Sequence, residues 1–368
     1  MTDVDRMPAR PPLAGPLVSP EEVYREGAGE QSYAILDVRS PAEVARGTLP
    51  GSVNVPILED EERRRVGIAY KESGQRVAVE LGVELTSEAM PGRVERWRAV
   101  CRNGPAVIAC WRGGLRSELA QSYLGEPRVP RVAGGYKALR AHLVGSLERS
   151  LRRRRLLVVG GMTGTGKTEL IESLRGADGM LALDLEGLAN HRGSAFGHLG
   201  AQPAQQTFEN EIAARLLLDP ARLLVVEDES RRIGALQLQE ALFAPMTSAP
   251  VALLEAPIEE RVRRIHRQYV LEPAIARGPE VVLRELADSV SRLRRRLGGG
   301  LVEQLQGVLA GAIASDSWRD SAALEPFIAP LLHEYYDPLY RKSVERLRRE
   351  VVVRGGREEL ASWIRRQS

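Results

Sequence analysis

The sequence predicts an α/β chain of two domains, each on a parallel sheet, with a helical C-terminal part. Three observations predict it. Short apolar, β-prone runs alternate with helical stretches through most of the 368 residues, the pattern of crossover connections. Two of those runs end at glycine-rich loops that open helices: Cys110-Trp-Arg-Gly-Gly-Leu-Arg116 and Gly161-Met-Thr-Gly-Thr-Gly-Lys-Thr168. Between the loops lies the charge run Arg149-Ser-Leu-Arg-Arg-Arg-Arg155, the natural seam and otherwise a solvated face. The first domain is expected over residues 16–146 with a helical insertion near 59–100, the second over 150–310, and a helical basic region over 311–368.

In chain order, Tyr33-Ala-Ile-Leu-Asp37 reads as a strand. Ser40-Pro-Ala-Glu43 then supplies an N-cap, a first-turn proline and an acid, together a helix start. Ser52-Val-Asn-Val55 follows a Pro-Gly turn as a second strand. Residues 59–100 break the rhythm with charged, helical spacing around Val77, Val79, Leu81 and Val83. Pro105-Ala-Val-Ile-Ala-Cys110 is a strand that ends on a thiol, and Ser117 to Leu124 is the helix after it. Arg128-Val-Pro-Arg-Val132 reads as an edge strand, where proline is tolerated. Beyond the seam, Leu156-Leu-Val-Val-Gly160, Met180-Leu-Ala-Leu-Asp184, Ala221-Arg-Leu-Leu-Val-Val-Glu227 and Pro250-Val-Ala-Leu-Leu-Glu255 read as strands of a parallel sheet covered on both faces. From Ile258 onward the pattern is helical and arginine-rich.

Composition narrows the classes. Hydrophobic residues make up 43% of the chain, enough for proper cores. No run of eighteen apolar residues occurs, so a membrane span is not expected. Met1 to Pro20 lacks the charged start and apolar middle of a secretion signal. Two cysteines make no disulfide framework, and a reducing cytoplasm is the expected location. The net charge of +3 excludes a polycation. Lysine stands only at 71, 137, 167 and 342 among the 52 basic residues. That bias fits either codon usage or two-pronged guanidinium recognition of phosphate. The lysine kept at position 167 sits inside the second loop.

A thiol is a useful nucleophile only as thiolate. Cys110 stands between a strand and a helix N-terminus, where free N–H groups and the helix dipole favour negative charge. Gly113 and Gly114 let the N–H groups of Trp111, Arg112 and Leu115 converge, Arg116 adds a cation, and Ser117 can cap the helix. Cys101 has no such setting and is expected to pack.

The second loop matches the phosphate-cradling pattern in its proper strand-to-helix context. The backbone of Gly161, Thr163, Gly164, Thr165 and Gly166 would hold a diphosphate, Lys167 would neutralise it, and Thr168 could bind Mg²⁺. Asp184 or Asp228 could support that metal, and Glu227-Asp-Glu229 is a candidate base cluster, or else an acidic strand end or cap. This much fits a P-loop NTPase-like domain.

Asp37-Val-Arg-Ser-Pro-Ala-Glu43, Gly47-Thr-Leu-Pro-Gly-Ser-Val-Asn-Val-Pro56, the Cys110 loop and Gly134-Gly-Tyr136 resemble, in that order and spacing, a rhodanese domain. Asp37 and Arg39 are the supporting residues of that motif. Rhodaneses usually place four residues between cysteine and arginine; five lie between Cys110 and Arg116, the spacing of cysteine phosphatases and their wider, phosphate-sized loop. Asp184-Leu-Glu-Gly-Leu-Ala-Asn-His-Arg-Gly-Ser-Ala-Phe-Gly197, Glu227-Asp-Glu-Ser-Arg-Arg-Ile-Gly234 and Arg65-Val-Gly-Ile-Ala-Tyr-Lys71 extend the likeness. With both loops they resemble the tRNA 2-selenouridine synthase family, a rhodanese domain fused to a P-loop domain.

That resemblance implies a transferase that converts wobble 2-thiouridine of tRNA to 2-selenouridine. The family alkylates the sulfur with geranyl diphosphate, then replaces it with selenium from selenophosphate. The phosphate loop is expected to hold the diphosphate of geranyl diphosphate, with ATP as the other candidate. The Cys110 loop is expected to handle selenophosphate, whether Cys110 carries selenium or attacks phosphorus or the sulfur side of an intermediate. The resemblance also brings in His191, Arg192, Gly193, Ser194, Ser230 and Arg231 as supporting residues. Phe196, Leu199 or Phe208 could line a slot for the geranyl chain, or simply pack. The anticodon region of tRNA is expected to meet Arg261, Arg263, Arg264, Arg267 and the tail from Arg341 to Arg366, with Tyr335, Tyr336 and Tyr340 stacking on unpaired bases or packing among helices. The rivals are a rhodanese-fold cysteine phosphatase and a nucleotide-dependent rhodanese-like sensor.

Overall fold

Buried β-prone tetrapeptides build the first sheet. Ala34–Asp37 (β2) and Ala106–Ala109 (β4) are apolar along nearly their whole length and pair in parallel, Ile35 beside Val107 and Asp37 beside Ala109. Strands Leu17–Val18 (β1), Ser52–Asn54 (β3) and Arg131–Val132 (β5) complete it in the order β1-β5-β4-β2-β3, all parallel. The register brings Asp37 and Cys110 to the same carboxyl edge. These elements belong to a computed structural model that describes residues 15–125, 129–191 and 201–368. It divides into two units, Met1–Ser150 with Pro203–Pro220, and Leu151–Gln202 with Ala221–Ser368.

Two expectations for the first unit need correction. Strand β5 is interior, because the short β1 lies outside it; a two-residue strand carries no alternation to reveal that. The helix Gln205–Leu218 also joins this unit, although it follows the phosphate loop in sequence. Its Ala213, Ala214 and Leu217 share a core with Leu139 and Leu143. Asn210 Nδ2 donates to Thr48 O at 2.6 Å, and Arg140 Nη1 to Asn210 Oδ1 at 2.7 Å.

Helices α1 (Pro20–Val23) and α2 (Pro41–Ala45) begin on serine-proline pairs as their sequences imply, and Ser40 N donates to Glu43 Oε2 at 3.1 Å. The insertion is helical as expected: α3 (Asp60–Thr86), interrupted at Gly74 where φ is +84°, and α4 (Met90–Arg102). Fully buried Trp97 ties α4 to the sheet by donating from Nε1 to Val55 O at 2.9 Å. Helix α5 (Leu115–Leu124) follows the thiol loop, and α6 (Gly135–Arg152) runs to the seam.

The second unit holds a parallel sheet of β6 (Arg155–Gly160), β7 (Met180–Leu183), β8 (Leu223–Glu227) and, after a small hairpin of β9 (Arg232–Ile233) and β10 (Leu236–Gln237), β11 (Val251–Leu254) and β12 (Val351–Gly355). The sheet order is β12-β11-β6-β8-β7. Strand β12 corrects the reading of an all-helical end; the triplet Val351-Val-Val353 was its signal. The last helix, Arg357–Arg365, returns Leu360 and Ile364 to the sheet's core. Helix α7 (Lys167–Ser173) follows β6, and α8 (Leu185–Leu188) follows β7. Helices between Ile258 and Leu347 pack around Val262, Leu283, Leu305, Trp318 and Phe327 as a core of their own.

Candidate functional site

The thiol loop depends on close backbone approach. Tyr136 N donates to Cys110 O at 2.9 Å, and a β-carbon on Gly135 (φ +61°) would lie 2.2 Å from that oxygen. Gly113, at φ +68°, has Val132 O 2.5 Å from where its β-carbon would be. Neither position admits a side chain. Cys110 Sγ lies 3.4 Å from Ser117 Oγ and 3.8 Å from Gly114 O. Ser117 Oγ donates back to Gly114 O at 2.8 Å; Gly114 is itself the N-cap of α5, which has no side-chain cap, so Ser117 does not cap the helix as expected.

Asp37 and Arg39 are a buried ion pair at 2.7 Å beneath the loop. Arg39 lies 3.7 Å over the Tyr136 ring, which stacks on Trp111 at 5.4 Å, and it donates to Gly47 O at 2.9 Å. Both residues therefore brace the loop from behind. Arg116 is clamped by Glu43 through two bonds of 2.5 and 3.0 Å, with Arg63 on the same carboxylate at 3.1 Å. Burial alone would raise Glu43, but Arg116 and the Ser40 amide outweigh it and hold the carboxyl below its ordinary value.

Cys110 is only 3% exposed, yet it forms part of the wall of a cavity of about 730 Å³. Trp111, Arg112, Gly114, Leu115 and Arg116 line the same side, and α3 lines the other. Arg112 is exposed at its rim.

In the second unit, Lys167 Nζ donates to Gly161 O at 2.9 Å across the phosphate loop, and Thr165 Oγ1 donates to Met162 O at 2.9 Å. Gly161 is packed so closely that its β-carbon would meet Leu254 O at 2.7 Å, while Gly164 and Gly166 have φ of +81° and +96°. Thr163 and Gly164 help line a cavity of about 400 Å³ with Lys167, Thr168, Glu186 and Glu229. Thr168 Oγ1 lies 3.2 Å from Glu186 Oε2 and 3.4 Å from Glu227 Oε2. Carboxylate oxygens of Glu186, Glu227 and Glu229 lie within 4.8 Å of one another.

Burial first, then the charge of Glu186, pushes Glu227 well above the usual carboxylate range; the same two causes carry Glu229 up to about 8. Glu227 is fully buried, and among the described residues its Oε1 has no hydrogen-bond partner. A hard divalent cation fits this donor set, since it would neutralise the carboxylates beside the Thr168 hydroxyl.

The other expected residues are distributed as follows. Asp184 accepts from Gly187 N at 2.6 Å and pairs with Arg175 at 2.7 Å, and Asp228 pairs with Arg349 at 2.7 Å; both still border the acid cluster, where Asp184 helps raise Glu227 and Asp228 helps raise Glu229. His191 is buried against Gly234 and is not a surface loop side chain. Ser230 and Arg231 are exposed, and Arg231 pairs with Glu240 at 3.2 Å. Arg192, Gly193, Ser194, Phe196 and Leu199 lie outside the described residues. Phe208 is buried in the first unit's helix Gln205–Leu218.

Arg264 turns inward, donating to Gly164 O at 2.7 Å and pairing with Glu169 at 3.1 Å; Arg267 joins the same carboxylate. Arg261 is buried on Asp337. Tyr336 packs edge-on against Tyr335 at 5.0 Å, and the Tyr340 hydroxyl would lie 2.8 Å from a β-carbon on Gly160. Burial pushes the Tyr340 phenol up to about 12. These side chains support the phosphate loop and its helices, while Arg341 is exposed. Sequence reasoning missed Glu43, although it quoted the capping box that contains it, and Glu186, two residues after a strand end.

Comparison with known proteins matches these units separately and together. Residues 19–142 match the rhodanese-like domain family, and residues 154–368 match the family described as tRNA 2-selenouridine synthase AAA domain. A tRNA 2-selenouridine synthase of Cupriavidus pinatubonensis is 42% identical over 352 residues, covering 91% of this chain and 95% of its own. The protein of that name from Shewanella loihica is 39% identical over 350 residues, covering 90% and 92%. One from Cupriavidus necator is 40% identical over 349 residues, covering 90% and 94%.

Proposed function

The chain belongs to the tRNA 2-selenouridine synthase family, and from that premise we propose that it replaces the sulfur of 2-thiouridine in the anticodon region of tRNA with selenium, in two steps. A thiocarbonyl sulfur is a poor leaving group. In the first step it attacks the allylic carbon of geranyl diphosphate; a C–S bond forms, diphosphate departs, and the base loses its N3 proton. In the second step a selenium nucleophile adds at C2, geranylthiol leaves, and the base regains a proton at N3. Selenophosphate and water together supply hydrogen selenide and inorganic phosphate, so no oxidant is needed.

The observation that carries this reading is the pairing of two dissimilar anion loops in one chain of this family. Lys167 and the N–H groups of the phosphate loop suit the departing diphosphate. Thr168 with Glu186, Glu227 and Glu229 would hold Mg²⁺, which would supply further charge neutralisation. Cys110 and Arg116, with five residues between them, suit a tetrahedral phosphorus species. Redox balance favours attack of the Cys110 thiolate on phosphorus. An S–P bond forms, the P–Se bond breaks, selenide leaves, and water later frees the phosphate. A Cys110 selenosulfide would instead require an oxidant.

The test is nucleoside analysis of 2-thiouridine tRNA after incubation with geranyl diphosphate alone, selenophosphate alone, and both. The reading requires S-geranyl-2-thiouridine from the first and 2-selenouridine from the last. Selenium incorporation without any prior alkylation would sink the two-step scheme. ATP-dependent turnover with geranyl diphosphate ignored would reassign the phosphate loop.

A further inference from the structure

The cavity beside Cys110 is much larger than an anion loop needs. A phosphate-sized ion is satisfied by the N–H groups and Arg116 at the loop itself. The remaining space is a half-open cleft flanked by the helical insertion, with Ile57, Val66, Val79, Val83, Met90 and Leu119 on its walls. Its volume of about 730 Å³ falls within the roughly 300–1,000 Å³ of sites that enclose small organic ligands. A cleft of this size with largely apolar walls leaves that surface facing water unless an apolar group covers it. The apolar surface continues to the mouth, where Ile68 and Tyr70 on α3 are 41% and 57% exposed. Arg64, Lys71 and Arg112 stand around that mouth, all exposed and cationic, suited to a polyanion that presents an apolar group.

We infer that this cleft receives the ten-carbon isoprenoid chain carried on the sulfur of the alkylated base during selenium transfer. The inference rests on the two-step reading above and assigns a subsite to its second step. The chemistry requires such a place. The C–S bond that breaks is at the carbon that selenium attacks, so the alkyl group must lie beside the selenium donor. An apolar wall there holds the chain out of water until geranylthiol departs. The apolar recess between Thr163, Ile265, Tyr269 and Phe327 has only about 40 Å³ and adjoins the more polar cavity of about 400 Å³ at the phosphate loop, which shares Thr163, Ile265 and Tyr269 with it. The recess can take the start of a chain, and its residues belong to the second unit, whereas the thiol loop belongs to the first.

The test is binding of anticodon stem-loops bearing S-methyl, S-dimethylallyl or S-geranyl 2-thiouridine to the full chain. Wild type should bind the geranyl form at least tenfold more tightly than the methyl form. Val83→Trp and, separately, Gly82→Leu fill the cleft and should remove that preference while leaving affinity for the methyl form within about twofold. Leu119→Ala enlarges it and should extend the preference to an S-farnesyl form, which covers the event that a filling variant does not fold. A preference that survives both filling variants, or that is lost instead in Tyr269→Trp, would overturn the inference. Nucleoside analysis on wild type reports separately on the two-step reading. Absent selenium transfer with intact chain-length preference would condemn that reading and leave the cleft's occupant standing.

Discussion

Glu43 clamps Arg116 across 73 residues of sequence, with both guanidinium Nη atoms on one carboxylate at 2.5 and 3.0 Å. A bidentate pair fixes the plane of the guanidinium as well as its position. The cation that faces the Cys110 cavity therefore has its orientation set by the helix start after β2. Glu43→Gln should keep the fold but raise KM for selenophosphate by about tenfold, as expected for a positioning residue whose loss costs a charge-assisted bond of about 1.5–3 kcal/mol. Glu43→Asp should recover part of it, and S-geranylation should be unchanged. An equal loss in both steps would make Glu43 merely structural. Because its folded carboxyl lies below the ordinary value, the stability it contributes is present above that value and is lost as pH falls through the folded one.

The two loops should separate genetically. Cys110→Ala should abolish selenium incorporation, at least 100-fold, and let S-geranyl-2-thiouridine accumulate. Lys167→Ala should abolish geranylation and, given a pre-geranylated tRNA, still permit selenium transfer. Nucleoside profiles of each variant decide this. Parallel loss of geranylation in both would refute the division of labour.

Beneath the thiol loop, Arg39 is fully buried and its charge is met by Asp37 at 2.7 Å. Asp37→Asn leaves that cation uncompensated and should cost about 3–5 kcal/mol. Urea unfolding should show it, with the Trp111 environment disturbed because Arg39 and Trp111 both meet the Tyr136 ring. Loss of less than about 1 kcal/mol would mean that Arg39 finds another partner.

How much of this was legible in the sequence follows from the range of each interaction. The strands ending at Asp37, Cys110 and Gly160 were readable, because each is a continuous apolar run stopped by a motif. Both loops were readable because glycine positions report backbone geometry directly. The inward turn of Arg264, Tyr336 and Tyr340 was not. A helical arginine looks the same whether it faces RNA or the Glu169 carboxylate 95 residues away. The transfer of Gln205–Leu218 to the first unit depends on its packing against α6, which no local pattern encodes. The cleft was illegible for the same reason: Val79 and Val83 had the spacing of an ordinary core face.

The acid cluster makes a pH prediction whose sign is opposite to that of Glu43. Glu227 and Glu229 bind protons more tightly folded than unfolded, Glu229 up to about 8. Between the ordinary carboxylate value and about 8 the folded state holds more protons, so metal-free stability should fall as pH rises through that window. Denaturant midpoints measured in EDTA should show the decline, and Glu229→Gln should roughly halve its slope. Adding Mg²⁺ at the alkaline end should restore stability, because the cation takes the place of the protons. A flat profile in EDTA would mean the carboxylates relax apart.

Arg264 and Arg341 separate two roles that composition alone would merge. Arg264 spends its guanidinium on Gly164 O and Glu169, so it supports the phosphate loop; Arg341 is exposed on the helix Asp337–Leu347. A phosphate contact on RNA releases counterions, and removing one should lower the salt slope of binding by about 1. Arg341→Ala should therefore weaken tRNA binding and flatten its dependence on salt. Arg264→Ala should leave that slope unchanged and instead raise KM for geranyl diphosphate, because the loop that cradles diphosphate loses a brace. Filter binding across a salt series, paired with geranylation kinetics, tests both at once. A reduced salt slope in Arg264→Ala would put that side chain on RNA after all, and would require it to abandon Glu169 when tRNA arrives.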